Sequence, residues 1–103
     1  MSKQRPRTAR RIAERDAKRL VRDREKLAAL SPGGSPERPI AVDSAAVIEV
    51  RAHAQPCHQC DSEVRVGEHT VDRDTGLRVI AISCTRCAAK RTLWFKLVSN
   101  EPN

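Results

Sequence analysis

The chain has 103 residues, 32% of them charged, a formal net charge of +7, and one Trp and one Phe as its only aromatic side chains. These bounds exclude a large apolar core and leave one small domain with extensions, of the size that commonly needs a covalent or metal staple. No N-terminal apolar run stands out as a secretion signal, so the expected setting is cytoplasmic, intracellular and reducing.

Residues 1–30 form an arm that holds eleven Lys and Arg against four acids, whereas residues 31–103 hold nine of each. The whole cationic excess therefore sits at one end. Pro6 to Leu30 predicts a long basic helix of about 37 Å at about 1.5 Å per residue, because its interior is mostly strong helix formers and Pro6 is tolerated in a first turn. Ala9, Ala13, Ala17, Leu20 and Leu27 recur at three- and four-residue spacing beside Ile12 and Val21, a stripe too narrow to bury much. Two readings of the arm stand side by side. In one it is a solvated helix, or one that docks on a protein partner or pairs with a second copy through residues 9–30. In the other it binds a polyanion, with Arg10, Arg11, Arg15, Lys18, Arg19 and Arg22 as the phosphate contacts. A membrane role is not expected, since the apolar stripe lacks Trp and Phe and the arm carries acids.

Residues 31–44 read as a linker: Ser31 to Pro39 contains three prolines and two glycines, which should let the arm move independently unless its stripe docks. From residue 45 to 98 the pattern is that of one small domain. Ala46, Ile48, Val50 and Ala52 alternate with Val47, Glu49, Arg51 and His53, which predicts a half-buried strand. Glu63 to Val71 is a second strand, with Gly67 marking a bulge. Asp72 to Gly76 is a turn, its Asp-x-Asp-x-Gly spacing read as turn chemistry rather than as a calcium loop. Leu77 to Ser83 is a nearly unbroken apolar run, as in a central strand covered on both sides. Ala89 to Val98 returns as the last strand, with Leu93, Phe95 and Leu97 on one face and Trp94, Lys96 and Val98 on the other. A frayed tail, 99–103, is expected to follow.

All four cysteines lie inside this domain, as Cys57-His58-Gln59-Cys60 and Cys84-Thr85-Arg86-Cys87. Two thiolates three positions apart can face one ion only across a tight turn, and two such turns supply a closed shell of four sulfurs. A dithiol redox motif needs one such pair opening a helix in a βαβ unit, a pattern absent around either pair. Spacing alone does not separate zinc from iron, but zinc is the commoner occupant of a closed four-cysteine site.

At these residues the chain resembles the zinc-ribbon family, over roughly residues 45–98. The resemblance implies one structural zinc held by Cys57, Cys60, Cys84 and Cys87 beside a small, mostly-β, antiparallel sheet of three or four strands. Members of that family often carry glycine after the second cysteine of each pair, where this chain has Asp61 and Ala88. The family occurs in transcription, translation and nucleic-acid enzymes, and as structural clips elsewhere.

A closed site has no open position for substrate, and no nucleophilic triad stands out, so catalysis is not expected. His53, His58 and His69 read as polar surface residues of the sheet. Arg86, Lys90 and Arg91 stand by the second pair as further phosphate contacts, and Trp94 divides evenly between a core role and stacking on a base. The expected protein is thus a zinc ribbon carrying a basic arm. Its expected partner is DNA, RNA, or a ribonucleoprotein or transcription complex; the alternative is an assembly module in which the zinc is purely structural.

Overall fold

The computed structural model describes residues 6–98; the first five residues of the arm and the tail expected at 99–103 lie outside them. Helix α1 runs over Pro6–Leu30, as its composition dictates. Its C-terminus turns sharply. The Ser31 hydroxyl donates to the Leu27 carbonyl at 2.7 Å, Gly33 takes a left-handed φ of 80°, and a Cβ on Gly34 would fall 1.9 Å from the Ala28 carbonyl oxygen.

Strand β1 (Ile40–Val42) follows, inside the stretch read as linker, then one 3₁₀ turn at Ala45–Val47 and a short helix α2 (Ile48–His53). Strands β2 (Val64–Val71), β3 (Arg78–Cys84) and β4 (Lys90–Leu97) complete a four-stranded sheet of order β1-β4-β3-β2. β2, β3 and β4 pair antiparallel, as expected, but β1 lies parallel to β4, so the sheet is mixed rather than wholly antiparallel. The register shift between Val66 and His69 falls at Gly67, and the 72–76 turn is closed by Asp72 and a left-handed Gly76.

The strand expected over Ala46–His53 is instead the 3₁₀ turn and α2. Apolar residues at 46, 48, 50 and 52 satisfy a two-residue period, but Ile48 and Ala52 are also one helical turn apart. Ser44 caps the 3₁₀ turn that leads into α2, its hydroxyl accepting from the Ala46 N–H at 3.2 Å. Ile48 and Ala52 are then fully buried, whereas Val50 is 70% exposed. α2 lays this edge on β2 and β3, so the core is a single layer of side chains between α2 and one sheet face, centred on Ile48, Ile80, Leu93 and Phe95.

The second face of β3 is not covered as the apolar run led one to expect. Ala81 is exposed and Val79 and Ser83 half-buried, because α1 meets the sheet beside β4 instead of lying across it. The Gly-Gly turn ties α1 down there: Trp94 N–H donates to the Gly33 carbonyl at 2.9 Å, and the Arg91 guanidinium donates to the Ala28 carbonyl at 3.0 Å. The arm is therefore anchored at its C-terminal end, though not through its apolar stripe.

Because Gly34 has no room for a side chain, Gly34→Ala is expected to lower the unfolding free energy by about 1–3 kcal/mol in urea denaturation. Unchanged stability would mean that the helix end is free to shift.

Candidate metal centre

The two cysteine turns are built alike. In the first, Asp61 N–H donates to the Cys57 carbonyl and Cys57 N–H to the Ser62 carbonyl, both at 2.9 Å, while Gln59 N–H points at Cys57 Sγ from 3.4 Å. In the second, Cys84 N–H donates to the Ala89 carbonyl at 2.8 Å, and the N–H groups of Arg86 and Cys87 point at Cys84 Sγ from 3.2 and 3.3 Å. Backbone N–H groups aimed at a sulfur stabilise its thiolate. Asp61 and Ala88, the residues after each pair, both take left-handed backbone conformations, with φ of 64° and 62°. The turns demand this conformation even where glycine is missing. The turns are joined through Glu63, whose carbonyl accepts from the Thr85 N–H at 3.1 Å and hydroxyl at 3.0 Å.

The sulfurs of Cys57, Cys60, Cys84 and Cys87 lie within 4.8 Å of one another, an arrangement able to surround one metal ion. Cys57 and Cys84 are buried and Cys60 and Cys87 exposed, so the centre sits at the end of the core with one side toward solvent. Four thiols at this spacing cannot all ionise without a cation between them. Hydrogen bonds from Ser62 bring Cys60 down to about 6, and the Cys87 N–H lowers Cys84. At Cys87 the Ala89 N–H pulls the other way, but lost hydration and the neighbouring thiols push it up to about 12.

His58 does not join the sulfurs. It is not a surface residue either, for its side chain is 6% exposed beneath α1, with Nε2 2.6 Å from Glu25 Oε1. Its neighbour Gln59 makes the larger contact. The Gln59 amide donates to the Val21 carbonyl and to Glu25 Oε1, each at 3.0 Å, and its own carbonyl accepts from Arg24. Glu25 is held below the usual carboxylate range, first by His58 and then by Gln59. This contact is in place at neutral pH and is lost as acid protonates Glu25. His53 pairs with Glu63 at 3.3 Å in the open, and His69 keeps a buried Nε2 without a partner.

The basic residues fall into three groups. At about 100° per residue, Arg11, Arg15, Lys18, Arg19 and Arg22 share one side of α1 with Arg7 and Lys26, all exposed; Arg10 stands apart toward another side. Arg86 and Lys90 are exposed by the second turn. Arg91 is half-buried and spent on Ala28, which makes it an anchor of the helix. Sequence reasoning missed the Glu25, His58 and Gln59 contact, which joins residues more than thirty positions apart and leaves no local signal.

No family model, curated protein or solved structure matches this chain.

Two outcomes follow from this geometry. With Cys87 still carrying its proton at pH 7, metal uptake must expel at least one proton. Affinity measured by chelator competition is therefore expected to fall about tenfold per expelled proton for each pH unit of acidification; an affinity flat between pH 8 and 6 would contradict the site. Ala88→Gly relieves a left-handed alanine and is expected to stabilise the loaded protein by about 1 kcal/mol in thermal unfolding.

Proposed function

We propose that this is a non-enzymatic zinc-binding protein in which a zinc-ribbon centre holds a basic helix in a fixed direction, and that the helix binds nucleic acid largely through phosphates. Zinc suits the donor set: zinc–sulfur bonds of about 2.3 Å in a tetrahedron put sulfurs about 3.8 Å apart, and Cys57–Cys87 and Cys60–Cys84 stand at 3.6 and 3.4 Å. Four thiolates leave no position for substrate, so the ion's part is structural.

The single observation that carries the reading is the cationic side of α1. Arg11, Arg15, Lys18, Arg22 and Lys26 follow one another at spacings of four, three, four and four residues, flanked by Arg7 and Arg19. The helix is about 37 Å long at 1.5 Å per residue, close to one duplex turn of about 34 Å. Cations on one side of a rod neutralise neighbouring phosphates and release their counterions, an attraction indifferent to base sequence. DNA, RNA and nucleoprotein assemblies all offer such a surface.

A second reading has its own observation. Leu20, Leu27 and Leu30 are 48%, 67% and 59% exposed, an apolar flank available to a protein partner or a second copy. Light scattering separates the two: a homodimer lost on deleting residues 1–30, with metal retained, supports the assembly role.

If about six phosphates are neutralised, log K for a short duplex is expected to fall against log salt with a slope near −5. The slope should flatten by about three when Arg11, Arg15 and Lys18 are replaced by Ala. Affinity that barely changes with salt would remove the nucleic-acid reading.

A further inference from the structure

The sheet face left bare by α2 forms a groove of about 560 Å³ between α1 and the strands. Gly67 and Ala81 give it a floor of minimal side chains, and a Cβ on Gly67 would already press to 3.1 Å from the Ala81 carbonyl oxygen. Trp94, half-buried, also lines the groove, its neighbour across the strands being Val79. Cross-strand register sets out the rest: Thr92 faces Ala81, and Ser83 sits between Arg65 and Lys90. One ring therefore borders an open groove with hydroxyls beside it and the exposed cations Arg65 and Lys90 at the cysteine end. Glu25 is the one acidic side chain lining it, and His58 and Gln59 already hold its carboxylate.

The cationic side of α1 leads into the same place. Ala29 lines the groove, and it lies seven positions beyond Arg22 and eleven beyond Lys18, so all three share one side of the helix. At 1.5 Å per residue the step from Arg22 to Ala29 is about 10 Å. A backbone neutralised along α1 thus reaches the groove within one or two nucleotides.

We infer that this groove is a stacking site for an unpaired base of single-stranded nucleic acid, with Trp94 as the platform and Lys90 and Arg65 taking the flanking phosphates. The inference rests on the nucleic-acid reading above and adds to the helix a separate site for strands with free bases. A duplex keeps its base faces stacked and cannot fill such a groove, whereas an unpaired base slides against an aromatic ring whatever its identity. A peptide added to a sheet uses a strand edge, and this groove lies on a face. The cations at its end match a phosphate backbone.

Trp94 is the single tryptophan of the chain, so its fluorescence reports on this site alone. The metal-loaded full chain is titrated at low salt with an oligothymidylate of roughly ten residues, and separately with a duplex of the same length. Quenching that saturates with the single strand and is absent with the duplex is the expected result. By anisotropy of a labelled strand, Trp94→Ala should bind about tenfold or more weakly, and Trp94→Phe, which keeps a ring, within about threefold of the parent. Lys90→Glu changes an exposed side chain and should weaken binding while leaving the fold intact, which guards against a Trp94 variant that fails to fold. Binding without quenching, together with a Lys90→Glu variant of parental affinity, overturns the groove and leaves the basic-helix reading standing. Failure to bind either oligonucleotide overturns both.

Discussion

Four sulfurs within 4.8 Å of one another are the constraint on which the rest of this small structure depends. Their proton affinities are unequal, since hydrogen bonds from Ser62 bring Cys60 down to about 6, whereas at Cys87 the Ala89 N–H is outweighed by lost hydration and the neighbouring thiols, which push it up to about 12. A cation among them would balance the thiolates' charge, and the surrounding backbone is arranged to suit one. N–H groups point at Cys57 and Cys84, and two left-handed residues close the turns. The rest of the core is one layer deep, with four large side chains fully buried among the described residues, so apolar burial alone offers the fold limited stability.

The first cysteine turn serves two ends at once. Cys57 and Cys60 bring their sulfurs to the four-cysteine cluster, while His58 and Gln59, the two residues between them, face the helix and take hold of Val21, Arg24 and Glu25. Whatever sets the conformation of this turn also sets the direction of α1. From the other side Arg91 and Gly33 fix the helix end to β4. Cysteine cluster, sheet and helix meet at this junction, and the N-terminal part of α1 extends beyond it with every residue from 6 to 20 except Ile12 exposed.

Much of this was legible in the amino-acid order, for reasons that are local. Two Cys-x-x-Cys pairs that share one ion must each make a tight turn, the β2 to β4 stretches alternate or run apolar as sheet strands must, and an arm rich in Ala, Arg, Glu and Lys has little choice but helix. What was not legible is where two local codes agree or where no local code exists. Ile48 and Ala52 serve a strand and a helix equally, and the Ser44-capped 3₁₀ turn leads them into a helix. β1 is only three residues long and sits beside prolines, so its parallel pairing with β4 is a product of the assembled sheet. The grip of Gln59 and His58 on α1 spans more than thirty residues and uses side chains that read as ordinary surface. The bare face of β3 was hidden by its own apolar run.

The central claim is that the metal centre both completes the fold and orients the basic helix. It is tested most directly by amide hydrogen exchange, followed residue by residue with metal bound and after chelation. The account predicts that, with metal, protection in α1 is concentrated over residues 21–30, where the helix is gripped, and that chelation removes it together with protection in β3 and β4. Protection over 21–30 that survives chelation unchanged would contradict the account, since the helix would then be held without the centre to which the structure ties it.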